Sequence, residues 1–169
     1  DGALGVLGAL EAMRTLVDGG CFETGRRTCG VEMEVYITDP QGDAAPINAK
    51  LLERLASSDF QTEVAQFNIE FHVKPRLITG HVFHTIDSEL RRSLNHAHDV
   101  AEELGAQVMI IGILPTLKDF DVTEQFMSAN PRYKALNDMI LSARGEDILI
   151  KIEGTDVLET RANSILFEA

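Results

Sequence analysis

Gly30-Val31-Glu32-Met33-Glu34-Val35-Tyr36-Ile37 is the stretch from which the fold of this chain can be derived. Positions 31, 33, 35 and 37 are apolar, and Glu32 and Glu34 alternate with them. Because successive side chains of a β-strand point to opposite faces, the pattern predicts a strand with one face in the core and two carboxylates on the other. Taken alone, the segment favours a solvated strand face over a site.

A second segment, residues 63–73, repeats this alternation. Positions 67, 69, 71 and 73 are apolar, so the pattern predicts a second strand with one buried face. The even positions all carry groups able to bind a metal or to form hydrogen bonds. These residues are Gln66, Asn68, Glu70 and His72.

If the two strands pair, Glu32, Glu34 and Glu70 meet on one surface. Glu63 lies seven residues before Glu70, so a regular strand would send it to the opposite face. It joins the cluster only through a bulge, a bend or a position on the preceding loop. Carboxylate oxygens without cysteine suit Mg²⁺ or Mn²⁺ better than zinc. Such a sheet face can hold nucleotide phosphates when Mg²⁺ bridges the two negative partners.

The remaining segments predict helices around this sheet. Apolar spacings of three and four residues favour helices over residues 4–17 and 82–104. Residues 48–55 read as a short helix, and cap and turn residues bound a further helix over 131–143. Residues 107–114 read as a central strand because they are apolar on both faces, and residues 147–153 as another strand. Helices and strands do not alternate strictly, which indicates an α+β fold with a mostly antiparallel sheet and flanking helices.

The last of these helices opens at Asn130-Pro131, an N-cap followed by proline at the first helical position. Arg132 and Tyr133 come next. A helix N-terminus beside an arginine favours an anion such as a carboxylate or a phosphate. A capped helix with an exposed arginine explains the same residues, and the sequence leaves both interpretations open.

The net charge, the apolar runs and the cysteines of the sequence argue against several classes of protein. The chain has 169 residues and a net charge of −12, so it is not expected to bind nucleic acid. No run approaches the roughly 20 apolar residues of a membrane span. Cys21 and Cys29 form neither a disulfide framework nor a Cys-x-x-Cys site. Two reduced thiols are typical of a cytoplasmic protein, which is the location we expect.

Four segments together resemble one enzyme family. They are 30–34, 60–70, 112–116 and 130–133, and their order and spacing resemble the second family of glutamate–cysteine ligases. These are carboxylate–amine ligases related to glutamine synthetase. The resemblance extends from about Gly30 to the end of the chain.

The resemblance implies a reaction and a fold. The fold would be glutamine-synthetase-like, with an antiparallel sheet curved around the active site. ATP would phosphorylate the carboxylate of glutamate or a similar substrate. An amine such as cysteine would then attack the acyl phosphate and form an amide.

The resemblance also implies roles for residues. The ligands of Mg²⁺ or Mn²⁺ would be Glu32, Glu34, Glu63 and Glu70. The family keeps the seven-residue spacing between the last two, which weakens the objection from strand parity. Arg132 and Tyr133 match a motif near the substrate. We assign Gln66 and Asn68 to cofactor binding, and no residue to catalysis.

Family members continue beyond the equivalent of Ala169 with a His-containing strand and further ligands. We therefore expect residues 1–169 to be the N-terminal portion of a larger ligase catalytic domain, inactive when isolated, with residues 1–29 as an N-terminal helix and lead-in. Unpaired sheet edges predict a homo-oligomer. Two alternatives stay open: a non-catalytic binding or assembly module of the same fold, and a ligase with a different acceptor amine.

Overall fold

Strands β1 (Thr28–Thr38) and β3 (Asn68–Leu77) form the middle of the main sheet. The structure is a computed structural model, and it describes residues 2–21, 25–145, 148–154, 157–162 and 164–168. β1 and β3 pair with each other, and each pairs with one short outer strand. The outer strands are β2 (Phe60–Thr62), beside β3, and β4 (Gln107–Met109), beside β1. All three pairings are antiparallel.

The described chain also contains four α-helices and a separate hairpin. The helices are α1 (Gly2–Asp18), α2 (Asn48–Leu55), α3 (Val82–Glu103) and α4 (Pro131–Arg144). Helices α2 and α3 pack against the sheet. The antiparallel hairpin consists of β5 (Ile148–Glu153) and β6 (Val157–Ala162). Short 3₁₀ helices lie at Glu124–Phe126 and Ile165–Glu168. The α+β class with an antiparallel sheet is confirmed, while the glutamine-synthetase-like arrangement stays a prediction.

The apolar face of the sheet carries the main core. Val35 and Ile37 of β1 and Phe71 of β3 are fully buried there. They pack in one cluster with Ala97 and Ala101, small residues that allow α3 to approach the sheet closely. The alternation predicted for β1 is therefore confirmed, and the opposite face is left for Glu32 and Glu34, which are exposed.

A second core covers one end of the polar face. The buried Tyr36 ring stacks on Phe67, with the ring centroids 6.2 Å apart. Leu114, Met127 and residues of α4 complete this cluster. Because the cluster occupies the end of β1 beyond Glu34, only the part of the face that carries the glutamates stays open to solvent.

Gly30 is required by a close approach between β1 and β3. The register shifts between Cys29 and Val31, so Lys74 and Pro75 together oppose Gly30. A Cβ added at Gly30 would lie 3.2 Å from Pro75 Cγ and 3.2 Å from the Val73 oxygen. This bulge explains why glycine begins the quoted motif, and it admits a proline into the strand.

The second strand is misplaced in the sequence prediction of 63–73. The structure has β2 at Phe60–Thr62, a loop, and β3 at Asn68–Leu77. Residues 63–67 therefore lie outside the strand, and the strict alternation predicted for Gln66 is wrong. The predicted end before Pro75 is also wrong, because the bulge accommodates that residue.

The predicted central strand over 107–114 is wrong as well. β4 has three residues and lies at the edge of the sheet. Ile110 and Ile113 are exposed, and Leu114 is buried in the second core. β5 matches the strand predicted over 147–153, although Asp147 lies outside the described residues. β6 was not predicted.

The predicted helices agree closely with the structure. Asn130 Oδ1 accepts a hydrogen bond from the Arg132 N–H at 3.0 Å, and Gly145 ends α4 at φ 73°. The predicted lead-in over 1–29 contains α1, but residues 1 and 22–24 lie outside the described part. Cys21 and Cys29 are free thiols. None of the helices described is long and apolar enough to cross a membrane.

Candidate functional site

Four glutamates line one open pocket of about 310 Å³ on the polar face of the sheet. They are Glu32, Glu34, Glu63 and Glu70. Glu34 and Glu70 face each other across the β1–β3 pairing. Glu63 enters the pocket from the loop between β2 and β3, which is one of the routes that the sequence left open. All four residues predicted as metal ligands are thus brought together.

Neighbouring donors orient three of these carboxylates. Glu34 Oε1 accepts a hydrogen bond from Asn68 Nδ2. Glu70 Oε2 accepts from Gln61 Nε2 at 3.2 Å. Glu63 Oε2 accepts from the backbone N–H of Val64 at 3.1 Å. The pocket therefore has fixed acceptors on two strands and one loop.

The pocket concentrates negative charge without a protein cation, since no described lysine or arginine lines it. Burial raises the pKa of Glu63 most, followed by hydrogen bonding to the Glu70 carboxyl and by the charges of Glu34 and Glu70. Together these effects raise that pKa from 4.5 to about 7, against the opposing effect of the Val64 N–H. Near neutral pH, a proton on Glu63 offsets part of the repulsion between the carboxylates.

Asn68 and Gln66, the predicted cofactor-binding residues, lie in different surroundings. Asn68 is fully buried beside Glu34, and its Oδ1 has no hydrogen-bond partner among the described residues. Gln66 instead donates from Nε2 to the carbonyls of Gln125 at 3.0 Å and Met127 at 2.8 Å. Its amide tethers the loop to a neighbouring segment, because the strand that would turn it to the polar face begins only at Asn68.

Arg132 and Tyr133, the predicted substrate-binding residues, make different contacts. The Tyr133 hydroxyl donates to the Thr62 carbonyl at 2.7 Å, next to Glu63 in sequence. Burial raises the pKa of Tyr133, and the nearby Glu63 charge adds to the rise, so the hydroxyl keeps its proton. The Arg132 side chain is exposed, and its backbone N–H is used in the helix cap.

The sequence model of glutamate-cysteine ligase family 2 matches residues 28–148 of the chain. The match includes the main sheet, the four pocket glutamates, Arg132 and Tyr133. The chain belongs to glutamate-cysteine ligase family 2. The resemblance predicted from the motifs is confirmed. Comparisons with curated proteins and with solved structures give no significant match.

The carboxylate oxygens that line this pocket are suitable ligands for a hard divalent cation. Oxygen donors are what Mg²⁺ prefers, and no described lysine or arginine lines the pocket to compete with a cation. Asn68 supports this donor set from behind the pocket, because its Nδ2 donates to Glu34 Oε1. Over the described ranges, however, no three His, Cys, Asp or Glu side chains form a ready metal site. The pocket thus holds suitable donors without a closed set of ligands, and Mg²⁺ often retains several waters.

Sequence reasoning missed the residues that support this site in the ligase-family chain. Gln61 orients Glu70, and Asn48 and Ser128 hold the loop of Glu63. Gln61 faces the same side as Glu70 because the two residues are directly paired, so strand alternation would have found it if β2 had been recognised. Asn48 and Ser128 are 80 residues apart, and no local pattern links them.

Proposed function

We propose that this protein takes part in ATP-dependent carboxylate–amine ligation of the glutamate–cysteine ligase type. The carboxylate of glutamate or a similar substrate would be phosphorylated by ATP, and an amine such as cysteine would displace the phosphate to form an amide. The observation that carries the proposal is the meeting of Glu32, Glu34, Glu63 and Glu70 in one pocket. The family match over residues 28–148 supports it.

In this proposal, the four glutamates hold Mg²⁺ or Mn²⁺. The bound cation would neutralise phosphate charge, which allows ATP to approach a protein of net charge −12. The chain's own contribution is a rigid donor surface. Glu32, Glu34 and Glu70 project from paired strands, and a sheet is a stiffer support than a loop.

In this proposal the pocket glutamates bind the cation only in their deprotonated form. Glu63 must lose the proton that its raised pKa retains near pH 7. Val64 N–H and Gln61 Nε2 keep Glu63 and Glu70 oriented after that loss. Phosphoryl transfer depends mainly on such positioning and charge neutralisation, and less on covalent chemistry by the protein.

The roles of four other residues belong to the same proposal. Asn68 would act on the cofactor through Glu34, because its Nδ2 donates to Glu34 Oε1. Arg132 and Tyr133 would lie toward the substrate, with Tyr133 acting through the backbone of Thr62. Gln66 would act only indirectly, because its amide binds backbone carbonyls.

A non-catalytic binding or assembly module is the second candidate. It is favoured by the lack of a ready three-residue metal site among the described residues. In that case the acidic face is solvated, and Glu63 simply holds its proton. An acceptor amine such as cysteine and a cytoplasmic location are further parts of the proposal.

The test is ADP formation by the purified full-length ligase that contains this chain, with ATP, Mg²⁺, glutamate and a panel of amines that includes cysteine. We expect amine-dependent ADP release that Glu34→Gln abolishes. Glu53→Gln is the matched control, since Glu53 is an exposed glutamate on α2, which packs on the opposite face. Activity that is equal in the two variants would refute the role of the pocket. Carboxylate-independent Mn²⁺ binding together with no ADP release would favour the module.

A further inference from the structure

The loop that carries Glu63 is held along its whole length. Every backbone carbonyl from residue 62 to residue 68 accepts a hydrogen bond. The donors come from distant segments of the chain: Ile37 in β1, Asn48 in α2, Ser128 after the first 3₁₀ helix, and Tyr133 in α4. Such complete satisfaction is unusual for a surface loop, which normally gives many of its carbonyls to water.

Asn48 is the centre of this arrangement. Its Nδ2 lies 3.1 Å from the Ala65 carbonyl, 3.2 Å from the Asn68 carbonyl and 2.8 Å from Ser128 Oγ. Its backbone N–H donates to the Gln66 carbonyl at 2.9 Å. The residue is 3% exposed. One buried side chain therefore ties the middle of the loop to the start of β3 and to Ser128.

Ser128 continues the connection to Glu63 itself. Its hydroxyl accepts from Asn48 and donates to the Glu63 carbonyl. Its backbone N–H donates to the Val64 carbonyl at 2.8 Å. A continuous chain of hydrogen bonds thus runs from α2 through Ser128 to the backbone of a pocket glutamate.

Packing alone does not explain why two buried positions carry polar side chains. Burying an amide or a hydroxyl costs free energy that its hydrogen bonds only offset, whereas apolar residues of the same size fill space without that cost. What the polar pair adds is a single conformation of the loop. This single loop conformation fixes the position from which the Glu63 side chain enters the pocket.

We propose that Asn48 and Ser128 are positioning residues, which hold Glu63 in the geometry needed for binding a divalent cation. The inference rests on the proposed cation site. Neither residue lines the pocket, so both act through the loop backbone. Partners that orient the ligands of a metal commonly contribute 10- to 100-fold to its affinity.

The experiment measures Mn²⁺ affinity, by electron paramagnetic resonance of free Mn²⁺, and the rise in Tm that Mn²⁺ produces. The variants of the whole chain are Asn48→Ala, Ser128→Ala and Ser128→Thr, which retains the hydroxyl. Asn137→Ala is the matched control. Asn137 is 2% exposed, and its Oδ1 accepts from the Ile165 N–H at 3.0 Å, in the second core.

We expect Asn48→Ala and Ser128→Ala to weaken Mn²⁺ binding about 10-fold and to reduce the Mn²⁺-induced rise in Tm. Ser128→Thr should restore most of the affinity. Asn137→Ala should lower the Tm without changing the affinity. Equal Mn²⁺ affinity in Ser128→Ala and Asn137→Ala would overturn the inference. If Asn48→Ala fails to fold, the comparison of Ser128→Ala with Ser128→Thr decides.

Failure of the cation site itself gives a different result. Glu34→Gln tests it in the same assay. If the wild type binds no Mn²⁺, or if Glu34→Gln binds it as well as the wild type, the cation site is refuted and the positioning role falls with it. Loss of binding in Glu34→Gln, with unchanged binding in Ser128→Ala, refutes the positioning role alone.

Discussion

Replacing Glu63 by glutamine should change how the stability of the metal-free protein depends on pH. In the native state the pKa of Glu63 is raised from 4.5 to about 7, chiefly by burial and by the Glu70 carboxyl. The native state therefore retains a proton that the unfolded chain has already lost between these two pH values. By linkage, the free energy of unfolding falls as the pH rises from about 4.5 to about 7 and then levels off.

The size of the effect follows from the same values. Each tenfold change in proton affinity corresponds to about 1.4 kcal/mol, which sets an upper limit of about 3.4 kcal/mol for Glu63. The pocket is open to water, and solvent screening reduces that limit, so we expect about 1 to 2 kcal/mol. Glutamine carries no charge at any pH, and its amide can still donate to Glu70. Glu63→Gln should therefore be more stable than the wild type at pH 8 and similar to it at pH 4.5.

Urea unfolding with a chelator present, at pH 4.5 and pH 8, measures this difference. The exposed Glu53 provides the control, because Glu53→Gln should follow the wild type at both pH values. A constant gap between the wild type and Glu63→Gln at the two pH values would contradict the mechanism. So would a wild type whose lead over the variant grows as the pH rises.

Three further predictions concern the sheet and the segment that follows β4. Gly30→Ala should cost about 1 to 3 kcal/mol of stability by urea unfolding, because its Cβ would lie 3.2 Å from Pro75 Cγ and from a backbone oxygen. Adding Pro75→Ala should recover only part of that loss, and full additivity would show that the contact is absent. Thr38→Val should be neutral or should stabilise the protein by up to about 1 kcal/mol. The reason is that Thr38 is fully buried and its Oγ1 has no hydrogen-bond partner among the described residues. A clear loss of Tm would contradict this prediction, because it would show that the hydroxyl forms a hydrogen bond. Lysine at both Ile110 and Ile113, which are 59% and 71% exposed, should reduce self-association in size-exclusion chromatography, whereas a wild type that stays monomeric at high concentration would contradict the expected homo-oligomer.

Local patterns in the sequence predict most of the regular elements. The alternation around Glu32 and Glu34 places β1 and its two faces, because the period of a strand is short and one face must be buried. Asn130 and Gly145 mark the ends of α4, since cap chemistry is local. The agreement in these elements comes from interactions between residues that are close along the chain.

The errors occur where tertiary context decides. Ile110 and Ile113 are apolar but exposed, so the central strand predicted from this apolar run does not form. Glu63 has the wrong parity for the strand face and reaches the pocket from a loop. Asn48 and Ser128 have no recognisable pattern, because their role depends on a hydrogen bond between residues 80 positions apart.

The hydrogen bonds that hold the loop of Glu63 have a consequence for the order of folding. Those from Ser128 and Tyr133 span 65 and 71 positions along the chain, so each closes a long segment at a cost in chain entropy. The β1–β3 pairing needs neither of them. We therefore expect the sheet to form before the acidic pocket is complete, with the pocket assembled only when the segment from 124 to 137 docks. A cut within that segment would leave a folded sheet that has lost the conformation of its acidic loop.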